Sequence, residues 1–147
     1  MEEGYRTLKS FEGITLRMVT GYTKDSEYLV ATLVPKLEAE TGIKLIVDQV
    51  DHENLFEKQM MDISGNRIYD IMNPCTEWAF QYSKFAQPLN SFMGRNGYPN
   101  PELDDFIPGV WNAWNRSREI FWFPYQPDSR VFYYRSDLLQ EKGIKPP

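Results

Sequence analysis

Cys75 and His52 are the chain's one cysteine and one histidine, and together they would supply a nucleophile and its base. Cys75 stands just before a predicted helix, where the N-terminal amides favour a thiolate. Both residues are expected at the same edge of a predicted sheet. A cysteine and a histidine without a family motif around them are a weak signal, so a small half-buried side chain at position 75 is the stronger reading. Other catalytic signatures are absent. No Gly-x-Gly-x-x-Gly follows the first strand, and there is no Gly-Lys-Ser/Thr phosphate loop and no Gly-x-Ser-x-Gly elbow. Asp104 and Asp105 are adjacent, so they point to different sides and do not form a working pair of acids. Glu38 and Glu40 belong on a solvated helix face. With one cysteine and one histidine there is no zinc cluster. No catalytic residue, metal or cofactor is expected, and a small α/β hydrolase or transferase of flavodoxin-like shape is the least favoured reading.

The totals bound the possibilities. A length of 147 residues suits one domain, or one domain and the start of another. Apolar residues at 41% and charged residues at 25% allow an ordinary core. The net charge of -5, from 16 basic and 21 acidic residues, argues against nucleic acid or an anionic membrane as partner. A lone cysteine excludes a disulfide within the chain and leaves the compartment open. No apolar run approaches the ~20 residues that span a bilayer. Met1 to Arg6 show neither the basic start nor the apolar centre of a signal peptide. Aromatic residues reach 15% and crowd between Phe106 and Tyr134. A core cluster explains many of them, with Trp122 and Tyr133 expected in the core rather than at a site.

These side chains need a scaffold, and hydrophobic periodicity predicts one. Ile14 to Val19 reads as a strand ending at Gly21-Tyr22. Asp25-Ser26 offers a helix cap, and Leu29, Val30, Leu33, Val34 and Leu37 follow at helical spacing. Pro35 is expected to kink or restart that helix, and Thr41-Gly42 to end it. Ile43 to Val47 is the second strand. Asp51 can cap a second helix, with Leu55, Phe56, Gln59, Met60 and Ile63 inward and Ser64-Gly65-Asn66 closing it. Tyr69 to Met72 is a short third strand, and Thr76 can cap a third helix over 77–85. Beyond the loop-rich stretch 88–108, a helix is predicted within 103–115. Strands are predicted over 119–125 and 131–134, then a helix from Asp137 to Lys142.

Alternating strands and helices imply a mostly parallel sheet with helices on its faces. Ligands of such sheets bind beyond the carboxyl ends of the strands, near the switch in strand order. Those ends are Gly21-Tyr22-Thr23, Gln49-Val50-Asp51 and Asn73 to Glu77.

Three stretches in this order and spacing carry a resemblance. The first is Leu33-Val34-Pro35-Lys36-Leu37-Glu38-Ala39-Glu40-Thr41-Gly42-Ile43-Lys44-Leu45. The second runs from Asn54 through Gln59 to Ser64-Gly65 and Tyr69-Asp70-Ile71-Met72. The third is Ile120 to Leu139, followed by Glu141-Lys142-Gly143-Ile144-Lys145-Pro146-Pro147. From about Gly13 onward the chain resembles the extracellular solute-binding proteins of ABC importers, in the sugar-type branch with the type II periplasmic binding fold. It is read as an N-terminal part of such a protein.

The resemblance implies two α/β lobes that close on a ligand by hinge bending. It divides the chain into an N-terminal extension over 1–12, a first lobe over 13–128, and a hinge crossing with the start of an incomplete second lobe over 129–147. It implies a sugar or polyol as ligand, permease subunits as partners, and a monomer when complete. The location implied is the periplasm, or the cell surface as a lipoprotein. Carried over by position, the ligand contacts are Tyr22 and Thr23 after the first strand, Cys75, Thr76, Glu77 and Trp78 after the third, and Tyr125, Gln126 and Asp128 at the crossing. Carboxylates and amides suit sugar hydroxyls, and an aromatic plate suits the apolar face of the ring. Thr76 as a helix cap, Trp78 as core and Asp128 as a turn residue are the plainer alternatives. A polyamine, an amino acid, a peptide or an iron chelate would fit the same shape. Glu77, Asp51 and Asp128 suit an amine. No arginine stands at the three strand ends to fork an amino-acid carboxylate, and Arg130 at the crossing keeps that ligand in view.

Overall fold

The structure is a computed structural model, and it describes residues 11–94, 101–115, 118–127 and 131–146. Strand β1 (Thr15–Gly21) is followed by helix α1 (Lys24–Tyr28), a π-helical segment (Leu29–Leu33) and α2 (Val34–Thr41). Next come β2 (Lys44–Val50), α3 (His52–Met61), a second π segment (Asp62–Asn66), β3 (Ile71–Met72) and the single turn α4 (Ala79–Tyr82). After these lie a 3-10 turn (Leu103–Asp105), α5 (Pro108–Trp114) and α6 (Ser136–Glu141).

The three strands form one parallel sheet in the order β2-β1-β3. β1 and β2 pair along their whole length, from Thr15 with Lys44 to Gly21 with Val50. β3 adds a short pairing of Ile71 and Met72 with Met18 and Val19. The predicted α/β alternation is the observed one.

The helix before β2 shows why local chemistry matters. Pro35 sits in the first turn of α2. It has no N–H to donate to the preceding turn, and the chain meets it by widening Leu29–Leu33 into a π-helix. Gly42 then ends α2 in the left-handed region, with φ 73°. Its N–H donates to the Glu38 carbonyl at 2.8 Å, and its own carbonyl accepts from Gly13 at 2.9 Å. Thr41 is buried, donating to the Leu37 carbonyl and accepting from the Ile43 N–H, which sets the entry into β2. Gly42→Ala is expected to destabilise the fold by about 1 to 2 kcal/mol, because a left-handed L-residue is strained. A Cβ there would also lie 2.4 Å from the flexible Glu12 side chain. Urea unfolding checks this.

The core is small. Val19, Ile43, Leu55, Ala79 and Tyr82 are its buried apolar members, joined by buried Thr20, Ser26, Gln59 and Asp62. Asp62 accepts from the N–H groups of Ile68 and Tyr69 and so shapes the lead into β3.

Several sequence expectations need correction. The cap of α1 is Thr23 rather than Asp25-Ser26. Its hydroxyl accepts from the Ser26 N–H, and the Ser26 side chain, at the third helical position, answers to the Thr23 N–H in a capping box. Asp51 holds the cap position of α3 without a side-chain bond. The left-handed residue that closes the following π segment is Arg67, φ 47°, not the Gly65 region. The helix expected over 77–85 is only the turn Ala79–Tyr82, capped at Trp78, and the Thr76 side chain does not cap it. The helix expected within 103–115 splits at Phe106, where the backbone is extended ahead of Pro108.

The described parts of 119–125 and 131–134 are not strands. In the first, backbone groups are claimed elsewhere. Leu89 donates to the Ile120 carbonyl, Asn90 accepts from the Ile120 N–H, and Asn115 donates to the Trp122 carbonyl. Phe106, Trp111 and Phe123 cluster with centroids 5.1 to 6.1 Å apart, and Trp122 meets Trp114 at 6.2 Å. Tyr133 is 87% exposed, the opposite of the core place expected for it.

Candidate functional site

The three strands end together. The Tyr22 N–H donates to the Val50 carbonyl at 2.8 Å, closing the β1–β2 ladder one residue past the strands. The Asn73 amide donates to the Thr20 hydroxyl at 3.0 Å, tying the end of β3 to the end of β1. Gln59, fully buried on α3, donates to the Asn73 carbonyl at 3.2 Å. Gln49 donates to the Ser26 hydroxyl at 2.8 Å, tying β2 to the first turn of α1. β1 is central, with β2 on one side and β3 on the other. The strand order reverses there, so the gap between the ends of β1 and β3 is the switch point.

A groove of about 1730 Å³ opens at that point. Thr23, Cys75, Thr76 and Glu77 line it, and so do Trp78, Tyr125 and Gln126. Tyr22 is not part of its wall. Its hydroxyl donates to Glu27 at 2.6 Å, and Lys24 pairs with the same carboxylate at 2.7 Å. Hydrogen bonds from Lys24 and then Tyr22 hold the Glu27 carboxyl below its usual range, and Glu27 in turn raises the Tyr22 phenol. Asp128 lies outside the described residues.

Tyr125 reaches this edge from far along the chain. Burial raises its phenol most, the Asp25 charge adds to that, and the hydroxyls of Thr23 and Thr20 act the other way. Tyr125 shares the groove wall with Thr20, Gly21 and Thr23 at the end of β1.

Trp78 is half-buried on the other side. His52 stacks on it with centroids 5.6 Å apart and planes 23° apart, and Phe56 meets it edge-on at 5.0 Å. The Cys75 sulfur lies 3.7 Å from Nδ1 of His52. The pair weighed in the sequence thus does meet in space, and its imidazole stacks on the Trp78 indole. Among the described residues, no group of three or more His, Cys, Asp or Glu side chains could hold a metal ion.

The sequence reading missed Thr20 and Tyr82, which both line the groove. Thr20 carried a signal, since it immediately precedes the Gly21 strand end. Tyr82 carried none, because its turn looked like the middle of a longer helix. Tyr82 is 1% exposed, and its hydroxyl has no hydrogen-bond partner among the described residues. Burial, with the nearby Cys75 adding to it, pushes its phenol up to about 12.

Two results are expected. Tyr82→Phe removes an unsatisfied buried hydroxyl and stabilises the fold by about 1 kcal/mol in urea unfolding. A phenol raised above the ordinary 10.0 contributes stability that is full below pH 10 and is lost as pH rises through about 12. That alkaline loss is expected to shrink in Tyr82→Phe, as read by denaturation at a series of pH values.

No helix among the described residues is long and apolar enough to cross a membrane. A family model described as bacterial extracellular solute-binding protein matches residues 20–147. No curated protein matches the chain. Among solved structures, the chain is similar to an ABC transporter solute-binding protein from Agrobacterium radiobacter K84 in complex with ribitol. The TM-score is 0.66 and the identity 23%, a likeness of fold. The match covers 92% of this chain and 35% of that one.

Proposed function

Since the chain belongs to the bacterial extracellular solute-binding protein family, a family of binders rather than catalysts, we propose that it forms one wall of a cleft that captures a small polar solute for an ABC importer. The ligand class we propose is a sugar or polyol. The observation that carries this reading is the groove at the switch point, where an indole, a phenol, a carboxylate, an amide and hydroxyls converge in Trp78, Tyr125, Glu77, Gln126, Thr23 and Thr76. Hydroxyl-rich ligands need such paired donors and acceptors beside an aromatic plate. The ribitol bound to the solved protein of similar fold supports the same class.

On this reading residues 13–128 make the first lobe and 129–147 begin the crossing to a second, with 1–12 an extension. Asp128 completes the contact set, from which Tyr22 drops out because its hydroxyl is held by Glu27 outside the groove wall; permease subunits receive the loaded protein, and the complete protein acts as a monomer in the periplasm or at the cell surface. A thermal-shift screen of the complete gene product against polyols, sugars, polyamines and amino acids tests it. A ligand that binds only the folded state raises the melting temperature, and a polyol or sugar is the expected hit. A hit from amines alone would replace the ligand class, and silence across the panel would sink the reading.

A further inference from the structure

Two rows of side chains meet along one wall of the groove. His52 and Phe56 stand four residues apart on α3, so they share a face of that helix. Cys75, Trp78 and Tyr82 stand at spacings of three and four along the turns that lead into α4. Backbone hydrogen bonds close those turns, from the Trp78 N–H to the Cys75 carbonyl at 3.0 Å and from the Tyr82 N–H to the Trp78 carbonyl at 3.3 Å. The rows interlock. The Cys75 sulfur lies 3.7 Å from His52 Nδ1, His52 stacks on Trp78, and Phe56 meets Trp78 at 5.0 Å and Tyr82 at 6.1 Å. His52, Cys75, Trp78 and Tyr82 all line the groove.

A reactive thiol needs such surroundings. Sulfur attacks as the thiolate, and an imidazole within reach can take its proton. Cys75 is half-buried, so its sulfur is shielded from bulk water and opens on the groove. The same wall holds an unmet polar group. Tyr82 is 1% exposed, and its hydroxyl has no hydrogen-bond partner among the described residues. A buried hydroxyl in that state calls for an acceptor, which the rings of Trp78 and Phe56 do not supply. A molecule attached to Cys75 and carrying hydroxyl or carbonyl oxygens can supply one.

We propose that Cys75 is a thiol-exchange site, at which a small disulfide bearing hydroxyl or amide groups leaves one of its halves in the groove. The step balances without a further reagent. The thiol proton passes to Nδ1 of His52, the Cys75 sulfur attacks one sulfur of the disulfide, and the old S–S bond breaks as the new one forms. The leaving thiolate takes the proton from the imidazole. Cys75 is oxidised and the departing sulfur is reduced. The reaction is stoichiometric and a small thiol reverses it, so the chain remains a binder. Disulfides persist in the oxidising surroundings met outside the cell. One consequence rests on the function proposed above: the adduct lies against Trp78, where the solute would lie, so exchange and capture compete.

Treatment of the complete gene product with hydroxyethyl disulfide tests this, with the adduct located by mass spectrometry of the digested protein. Cys75 is expected to be modified in the folded protein. Affinity for the thermal-shift hit is expected to fall by about tenfold or more and to return on reduction. Cys75→Ser, whatever its own affinity, is expected to keep it through the treatment. His52→Phe leaves a ring for Trp78 and removes the base. It is expected to slow exchange by about threefold or more, the thiolate gained through pairing being partly offset by its weaker nucleophilicity. Modification of Cys75 only after unfolding in urea, an adduct that leaves affinity unchanged, or equal exchange rates in wild type and His52→Phe would each overturn the site. A silent solute screen would sink the proposed function alone, because adduct formation and its rate are read without a solute.

Discussion

Leu55→Ala is expected to cost about 3 kcal/mol of stability, the middle of the range for a buried leucine cut back to alanine. Leu55 is 2% exposed on the inner face of α3. Its Cδ2 stands 3.5 Å from where a Cβ would project at Gly21, so it seals α3 against the end of β1. Among the described residues, few other apolar side chains are as deeply buried. Domains of this size hold only about 5 to 15 kcal/mol in total, so the loss is a large share. Urea unfolding followed by circular dichroism measures it, with Leu55→Met as the volume-conserving control, expected to cost under about 1.5 kcal/mol. A loss below 1 kcal/mol for Leu55→Ala would mean that α3 does not depend on this contact.

Trp78→Ala is expected to weaken solute binding by about ten- to a hundredfold, or roughly 1.4 to 2.8 kcal/mol. Trp78 lines the groove and is held by His52 on one side and Phe56 at its edge. Those contacts fix an indole plate where a ring face can lie, at little cost in side-chain entropy when the ligand arrives. Trp78→Phe keeps a smaller plate and is expected to lose less than tenfold. Calorimetric titration of the complete gene product with its thermal-shift hit separates the two variants. Parallel unfolding curves correct for lost packing against Phe56. Equal affinity in wild type and Trp78→Ala would remove Trp78 from the contact set and leave the groove as a whole untouched.

Legibility followed the range of the interactions. The first three strands and the helices between them are written in short hydrophobic periods, and the structure places them within a few residues of expectation. Pro35 and Gly42 act through their own backbone restrictions, so their effects could be read without a neighbour in view. The strands expected over 119–125 and 131–134 had the right residue types. A strand also requires an edge to pair with. Asn90 and Asn115 took backbone groups of the first, and the second met no sheet among the described residues. The same limit hid the capping role of Thr23, since both it and Asp25 are good cap residues and only the backbone angles choose between them.

By itself, the sequence determined the α/β alternation, the parallel sheet that alternation requires, and hence the edge at which ligand contacts must gather. It also determined the absence of the catalytic signatures sought in it, because such signatures are local spacings. Only the tertiary structure decided which residues share the groove. It brought Tyr125 back across about a hundred residues into one groove wall with Thr20 and Thr23, laid His52 on Trp78, and turned Tyr22 away toward Glu27. It also left Val131 to Tyr134 exposed. The physical reason is that periodicity reports which face of an element is apolar, whereas the meeting of two side chains depends on strand order, register and the packing of every element between them.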